Sequence, residues 1–411
     1  AEPLSLTHER VDDVPLLIGL MQRLRFPQLL DQHLGNHGNH DGYSNGWLAT
    51  IWLAFILSAG DHRKSVVQEW AWRLRSTIER FGGLPVRPVE FNDDRLEIVL
   101  RRLAATPAWE ALEADLWDTT QALYPQPLTG VRLDATTSYG YHQVAPEGLM
   151  QLGHSKDHRP DLPQFKLMAA ALEGSGHWLA CNVLPGNRAD DPLYLPLIGR
   201  VRANLNQLGI LYTGDCKMAA LALRADLVRH QDYYLTVLPR SGTQGAEIDA
   251  WIEAVVAGEQ AVDLLWEPAP PGGVPRLLGY GYEHERTLTA VSGGEQQVWQ
   301  ERVQVIRSPA LAKQQSLSLE TRLATAEAAL LALTPAPGRG RRPIREEAAL
   351  QQAIAATLSR QRVSGLLTVT WERREEVTTR YVGRGRGGAE RPTRTVVKVH
   401  YVVTEVRREE E

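Results

Sequence analysis

Cysteine is scarce in this chain of 411 residues, which contains only Cys181 and Cys216. Two thiols exclude a disulfide framework and a zinc site of the usual four-ligand kind. The scarcity also fits a reducing compartment, so a cytoplasmic location is the expectation.

Long hydrophobic runs are missing as well. The most apolar stretch, residues 47–59, has 13 residues, whereas a helix needs about 20 apolar residues to cross a bilayer. This stretch predicts a buried helix that ends at Gly60. The first ten residues are polar and lack an apolar stretch after a basic start, so no signal-peptide pattern is found there. We expect no membrane partner.

Charge is unevenly distributed, although the formal net charge is only −4. Residues 339–411 contain 16 Lys and Arg against 10 Asp and Glu, and residues 383–388 read GRGRGG. A basic, arginine-rich segment is typical of surfaces that bind phosphate backbones. A solvated hairpin tip explains the same composition, and both interpretations remain open.

The length and the ordinary composition predict two or three domains. Helical patterns dominate the first 125 residues, where Asp94 and Glu97 have the spacing of a capping box. The prolines Pro125 and Pro127, with Gly130 after them, indicate a boundary. We predict a helical N-terminal domain at 1–125 for DNA binding or dimerisation, an α/β core at 126–240, and a β-rich and helical insertion domain at 241–411 whose C-terminal part is basic.

The core pattern predicts the order β-β-β-α-β-α-β. Apolar alternation and turn residues separate three successive strands, which should pair as an antiparallel meander. Two helices then alternate with two further strands. The predicted strands are residues 131–135, 165–172, 177–184, 210–213 and 233–238, and the predicted helices are residues 191–208 and 216–230.

Two aspartates follow strands in this order. A right-handed crossover would lay the fourth strand parallel to the first, because the connecting helix packs back onto the sheet. Asp134 lies near the end of the first strand and Asp215 just past the end of the fourth. Strand neighbours lie about 4.8 Å apart, close enough for two carboxylates to share a hard divalent ion. Each aspartate also has a plain structural explanation, as a turn former or as a helix N-cap.

A polar turn with many donors follows the first strand. Residues 153–160 read GHSKDHRP, and Lys156, His158 and Arg159 lie within it. Lys217 lies two residues after Asp215. These four side chains are the candidates for phosphate contacts that orient DNA without reading its sequence. A solvated turn is the alternative.

Several of these stretches together resemble the DDE transposases of bacterial insertion sequences. The strings that carry the resemblance are LDATT at 133–137, GHSKDHRPDLPQFK at 153–166, RADDP at 188–192, YTGDCKMAA at 212–220, GDHRKSVVQEW at 60–70 and RPVEFNDDRL at 87–96. The resemblance implies an RNase H-like mixed sheet in which three acidic residues hold two Mg²⁺ or Mn²⁺ ions. Asp134 and Asp215 match the first two acids.

The resemblance also implies an activity. Water would first free a 3′-hydroxyl at a transposon end, and that hydroxyl would then attack target DNA. The implied partners are transposon ends and target DNA, bound by a homodimer.

The third acid of that family has no match in this sequence. Its glutamate lies on a late helix with a Tyr-Arg, Ile-Glu, Leu-Lys pattern, which is absent here. Glu283, Glu285 and Glu301 are carboxylates on predicted strands, and the identity of the third acid stays unknown. We therefore expect a truncated transposase. The alternatives are a non-catalytic DNA-binding fragment that regulates transposition, a metal-dependent nuclease, and an oligomerisation module with a degenerate α/β domain.

Overall fold

The computed structural model describes residues 8–269, 272–335, 343–383 and 390–409. Apart from Gly383, the predicted basic tip at residues 383–388 lies outside the described residues. The chain forms two compact units, Ala1–Ala250 with Arg286–Glu301 and Trp251–Glu285 with Arg302–Glu411. The finer division at residues 125 and 240 stays a prediction.

Helices make up the first part of the first unit, as the sequence predicts. Ser44 accepts a hydrogen bond from Trp47 N at the start of the most apolar helix, and that helix ends at Gly60 with φ +63°. The helices are α1 (Val14–Arg23), α2 (Phe26–Leu34), α3 (Asn45–Ala59), α4 (Val67–Arg73), α5 (Arg75–Gly82), α6 (Asp93–Leu103) and α7 (Thr106–Leu123).

The capping box predicted from Asp94 and Glu97 is wrong. Asn92 has extended backbone angles and caps α6, since its side chain accepts a hydrogen bond from Arg95 N at 3.0 Å. Asp94 therefore lies inside the first turn, and Glu97 forms an ion pair with Lys64 instead. The residue with the non-helical backbone takes the cap position, because its carbonyl accepts the first bond of the helix.

A five-stranded mixed sheet follows. Its strands lie in the order β3-β2-β1-β4-β5, with β1, β2 and β3 antiparallel and with β4 and β5 parallel to β1. The predicted meander and the predicted position of the fourth strand beside the first are both confirmed. The strands are β1 (Val131–Tyr139), β2 (Gln164–Leu172), β3 (Trp178–Pro185), β4 (Leu211–Gly214) and β5 (Tyr233–Thr236).

Two helices connect the parallel strands of this sheet. α8 (Tyr194–Leu205) follows β3, and α9 (Leu221–Arg229) connects β4 to β5. Their apolar residues share one core with the alternate, buried residues of β1 and β2. The fold of this part of the chain is therefore mixed α/β.

The first strand is longer than predicted. The sequence pattern predicts an end at Ala135, but β1 continues to Tyr139, which pairs with Gln164 of β2. The apolar alternation stops earlier because the far half of β1 is largely exposed. Asp134 consequently lies within the strand and not at its end.

The described residues after β5 form a three-stranded sheet of β6, β7 and β8, a final hairpin of β9 and β10, and three helices. The strands around Gly293 and Gly294, the two long helices after them and the final hairpin are all predicted by the sequence; α10 and β6 are not. The elements are α10 (Gly242–Val256), β6 (Asp263–Glu267), β7 (Arg276–Ser292), β8 (Glu295–Arg307), α11 (Pro309–Ala332), α12 (Glu347–Gln361), β9 (Leu367–Tyr381) and β10 (Thr393–Arg408).

The second unit has an apolar core of its own. Residues of α11 and α12 pack there with residues of the final hairpin, including Leu330, Leu350 and Val403. Within the described ranges, no helix of the protein is long and apolar enough to span a membrane.

An ion network is buried in the first unit between α9 and β8. Arg224 donates to Glu301 Oε1 at 2.5 Å, Arg286 donates to Oε2 at 2.7 Å, and the Tyr234 hydroxyl donates to Oε1 at 2.9 Å. Burial alone would raise the pKa of Glu301, but the hydrogen bonds from Arg224, Arg286 and Tyr234 outweigh it, and the pKa is lowered. The resulting stabilisation is present above the unfolded pKa of about 4.3 and is lost as the pH falls through the folded pKa.

We predict that Glu301→Gln lowers the free energy of unfolding by about 3–5 kcal/mol at pH 7, because Arg224 is left buried without its charged partner. Urea unfolding followed by circular dichroism measures the change. Glu295→Gln is the control, since Glu295 is exposed at the start of the same strand, and we expect a change within about 0.5 kcal/mol. If Glu301→Gln and Glu295→Gln have the same free energy of unfolding, the ion network does not stabilise the protein.

Candidate functional site: paired carboxylates at β1 and β4

The parallel pairing of β1 with β4 relates the positions of Asp134 and Asp215. Val131 pairs with Tyr212, and Arg132 pairs with Thr213. Continued by two residues, this register brings Asp134 of β1 level with Asp215, which directly follows β4. Neighbouring strands are about 4.8 Å apart. That the two carboxylate groups lie close together stays a prediction, which the pairing of β1 with β4 supports.

Asp134 presents its carboxylate to solvent. Its side chain is 72% exposed, and its Oδ1 accepts a hydrogen bond from Ala135 N at 2.7 Å. Within the described residues, no donor reaches its Oδ2. A carboxylate with an unengaged oxygen on an exposed strand position is available to bind a cation.

Asp215 is held more tightly. It follows β4 directly and caps the short 3₁₀ helix Cys216–Ala219, because its Oδ1 accepts from Lys217 N at 2.9 Å. The Tyr194 hydroxyl donates to the same oxygen at 2.7 Å. No donor in the described part of the chain reaches Oδ2. Asp215 therefore caps the 3₁₀ helix with Oδ1 and keeps Oδ2 available.

Lys156 lies next to Asp134, and Lys217 follows Asp215 by two residues in the chain. Lys156 donates to the carbonyl oxygen of Ala135, and its Nζ lies 3.8 Å from Asp134 Oδ1. Lys217 Nζ lies 3.7 Å from Asp191 Oδ1, and half of its side chain is exposed. Exposed pairs at such distances contribute little to stability, so both ammonium groups are free to exchange these partners for a phosphate.

Arg159 and His158 belong to the same turn but are placed differently. Arg159 donates two hydrogen bonds to Asp161, at 2.9 and 2.8 Å, and lies over the Tyr139 ring with 5.6 Å to the centroid. The hydrogen bond to Asp161 is the largest of the effects that raise the pKa of Arg159. His158 is exposed and has φ +58°, in the left-handed region. Of the four predicted phosphate contacts, Lys156 has its ammonium group near Asp134, and Lys217 has its ammonium group near Asp191.

Three residues at the site were not assigned from the sequence. Lys166 is buried on β2, only 5% exposed, and forms an ion pair with Asp190. The pKa of Tyr194 is raised by burial first, then by its hydrogen bond to Asp215 and by the charges of Asp215, Asp134 and Asp190. A lysine on the buried, otherwise mostly apolar face of β2 is the pattern that could have revealed this pair.

The third carboxylate stays unidentified. Both oxygens of Glu301 are engaged in the buried ion network, and Glu283 and Glu285 belong to the second unit. Across the described ranges, no group of three His, Cys, Asp or Glu side chains is placed to hold a metal ion.

A cavity in the second unit is chemically different. Its volume is about 980 Å³, and none of the described residues that line it is a carboxylate. Its walls are mainly aliphatic and aromatic side chains, such as Ile252, Val305 and Leu319. Its lining therefore lacks the carboxylates that distinguish the site at Asp134 and Asp215.

No protein-family model matches the chain, and no curated protein matches it. Among solved structures, the chain is similar to piggyBac transposase in a synaptic complex with hairpin DNA, with 10% identity, a TM-score of 0.26, and coverage of 59% of this chain and 45% of that chain. It is also similar to Mos1 transposase in a paired-end complex with the left transposon end, with 13% identity, a TM-score of 0.19, and coverage of 55% of this chain and 66% of that chain.

The chain therefore spans less than half of the piggyBac chain and just under two thirds of the Mos1 chain. Similarities this low carry no argument about function. The class that the described structure defines is a mixed α/β protein in which Asp134 lies on β1 and Asp215 directly follows the parallel strand β4.

The unengaged Oδ2 atoms of Asp134 and Asp215 lead to a prediction about metal binding. We expect Asp134→Asn and Asp215→Asn each to weaken Mn²⁺ binding by at least about tenfold, because each removes one of two charges from the shared site. Titration with Mn²⁺, followed by the paramagnetic resonance of the free ion, measures the change. Asp157→Asn, an exposed turn residue, is the control and should leave affinity unaltered. Unchanged binding in both site variants would show that the aspartates share no ion.

Proposed function

We propose that the chain is a metal-dependent transposase of the DDE type, built on an RNase H-like sheet, that acts on DNA. The observation that carries the proposal is the β1–β4 register, which brings Asp134 level with Asp215 when it is continued by two residues. The sheet order, three antiparallel strands followed by two parallel ones, supports it, because this is the order implied by the resemblance to insertion-sequence transposases.

The donor set fits a divalent ion of the Mg²⁺ or Mn²⁺ class. Carboxylate oxygens are the ligands that these hard cations prefer, and each aspartate has one oxygen without a described donor. Such an ion, when bound, supplies Lewis-acid stabilisation for displacement at phosphorus. The described residues supply carboxylates for one shared ion, and the ligands of a second ion remain unassigned.

The chain's own residues would orient the DNA. Lys156 places a positive charge beside Asp134, and Lys217 lies two residues after Asp215. A phosphate between them would meet ammonium groups from two sides, which fixes its position without reading the bases. Arg159 and His158, which lie further along the same turn, would contact the phosphate backbone of the DNA.

DNA binding without catalysis is the second candidate function. The observation that favours it is that, among the described residues, no three His, Cys, Asp or Glu side chains are placed together to hold a metal ion. A chain of this kind would occupy DNA ends without cutting them.

Cleavage and joining distinguish these functions. The chain is incubated with Mg²⁺, supercoiled plasmid and labelled duplexes that carry the DNA bordering its own gene. Nicking with strand joining supports the transposase, nicking alone indicates a nuclease, and binding alone indicates the non-catalytic function. We expect Asp134→Asn to slow cleavage by at least about 100-fold, or ~2.7 kcal/mol in the barrier, and Asp157→Asn to have no effect. A chain that binds no DNA at low salt contradicts all three.

The two lysines predict a specific salt dependence. Lys156→Ala and Lys217→Ala should each lower the slope of log K against log salt by about one, because each removes one phosphate contact. Fluorescence anisotropy with a labelled duplex at several salt concentrations measures the slope. Lys313→Ala on α11 is the control, since Lys313 is exposed in the second unit. If all three variants have equal slopes, Lys156 and Lys217 do not contact the DNA.

A further inference from the structure

The Tyr194 side chain connects the core of the first unit to the candidate site. Tyr194 is the first residue of α8 and is only 1% exposed. Its ring lies close to Gly214, where an added Cβ would come within 3.3 Å of the ring. Gly214 is the last residue of β4, directly before Asp215. The ring is therefore fixed by packing beside the end of the strand that carries the aspartate.

Three hydrogen bonds determine how Asp215 is held. Tyr194 and Lys217 N both donate to Oδ1, at 2.7 and 2.9 Å, and the Thr236 hydroxyl donates to the main-chain oxygen of Asp215 at 2.6 Å. One carboxylate oxygen is thus engaged by two donors. Within the described ranges, the other oxygen has none. The carboxylate cannot rotate without breaking both bonds to Oδ1.

The two aspartates differ in this respect. Asp134 is 72% exposed, and the nearest side-chain cation, Lys156 Nζ, lies 3.8 Å from its Oδ1. Asp215 is instead bound by a side chain that is itself almost completely buried. One member of the pair is rigidly oriented and the other is loosely held.

We propose that Tyr194 is a positioning residue, which orients the Asp215 carboxylate so that Oδ2 is presented toward Asp134 for a shared divalent ion. This inference rests on the proposed function. A donor that binds one oxygen of a ligating carboxylate fixes its orientation, and the loss of such a partner typically costs 10–100-fold in metal affinity.

A purely structural explanation must be distinguished from this one. Buried tyrosine hydroxyls usually find a partner, and Asp215 is the partner of Tyr194. Tyr212 on β4 provides the comparison within the same core, because it is fully buried. The charges that act most strongly on its hydroxyl are those of Asp232 and Arg202, and within the described residues it makes no hydrogen bond to Asp134 or Asp215. Removal of either hydroxyl leaves the packing volume nearly unchanged.

The test compares Mn²⁺ affinity of the full chain at one pH for three variants. We expect Tyr194→Phe to weaken binding about tenfold, Tyr212→Phe to leave it unaltered, and Asp215→Asn to weaken it at least as much as Tyr194→Phe. Circular dichroism and thermal unfolding are recorded for each variant. A similar unfolding temperature for the two phenylalanine variants, with different Mn²⁺ affinities, supports the positioning role.

The other outcomes distinguish a failure of this inference from a failure of the proposed function. If Asp215→Asn weakens binding while Tyr194→Phe behaves like Tyr212→Phe, Tyr194 does not position the ligand and the proposed function stands. If Asp215→Asn changes nothing, or the unaltered chain binds no Mn²⁺, the shared metal site itself is wrong. If Tyr194→Phe unfolds the chain and Tyr212→Phe does not, the role of Tyr194 is structural and the inference fails.

Discussion

The parallel pairing of β1 and β4 is the constraint on which the candidate site depends. β1 lies in the middle of the sheet, antiparallel to β2 on one side and parallel to β4 on the other. A parallel neighbour requires a crossover, which α8 provides by packing its apolar residues onto the sheet. A register one residue away would turn a side chain to the other face, and Asp134 and Asp215 would no longer lie opposite each other.

Buried side chains bind the charged groups that lie around Asp134 and Asp215. Lys166 lies on the buried face of β2 and neutralises Asp190, while Tyr194 binds one oxygen of Asp215. The ion network of Glu301 with Arg224 and Arg286 secures β8 against the helix that follows Asp215. Burial makes such groups costly unless they are paired, so within the first unit these contacts hold the sheet, α8 and α9 together with residues 286–301.

Much of the fold was predictable because the patterns are local. Period-two alternation marks β2, helical spacing marks α8, and Gly293 with Gly294 marks the turn between β7 and β8. The predictions failed where the pattern is weak. The far half of β1 is exposed and lacks apolar alternation, while α10 and β6 bury few residues. The cap of α6 was misassigned because several polar residues compete there and only the backbone selects Asn92.

The sequence by itself determined the order of the strands and helices that build the five-stranded sheet, and it identified Asp134 and Asp215 as carboxylates that adjoin two strands. Local hydrophobic periodicity encodes that much. Only the tertiary structure decided that the two strands pair in the register that aligns the aspartates, that Tyr194 binds Asp215, and that Glu301 is engaged by arginines. Those contacts join residues 21 to 81 positions apart, and long-range pairing depends on how the whole core packs and not on the pattern of any one segment.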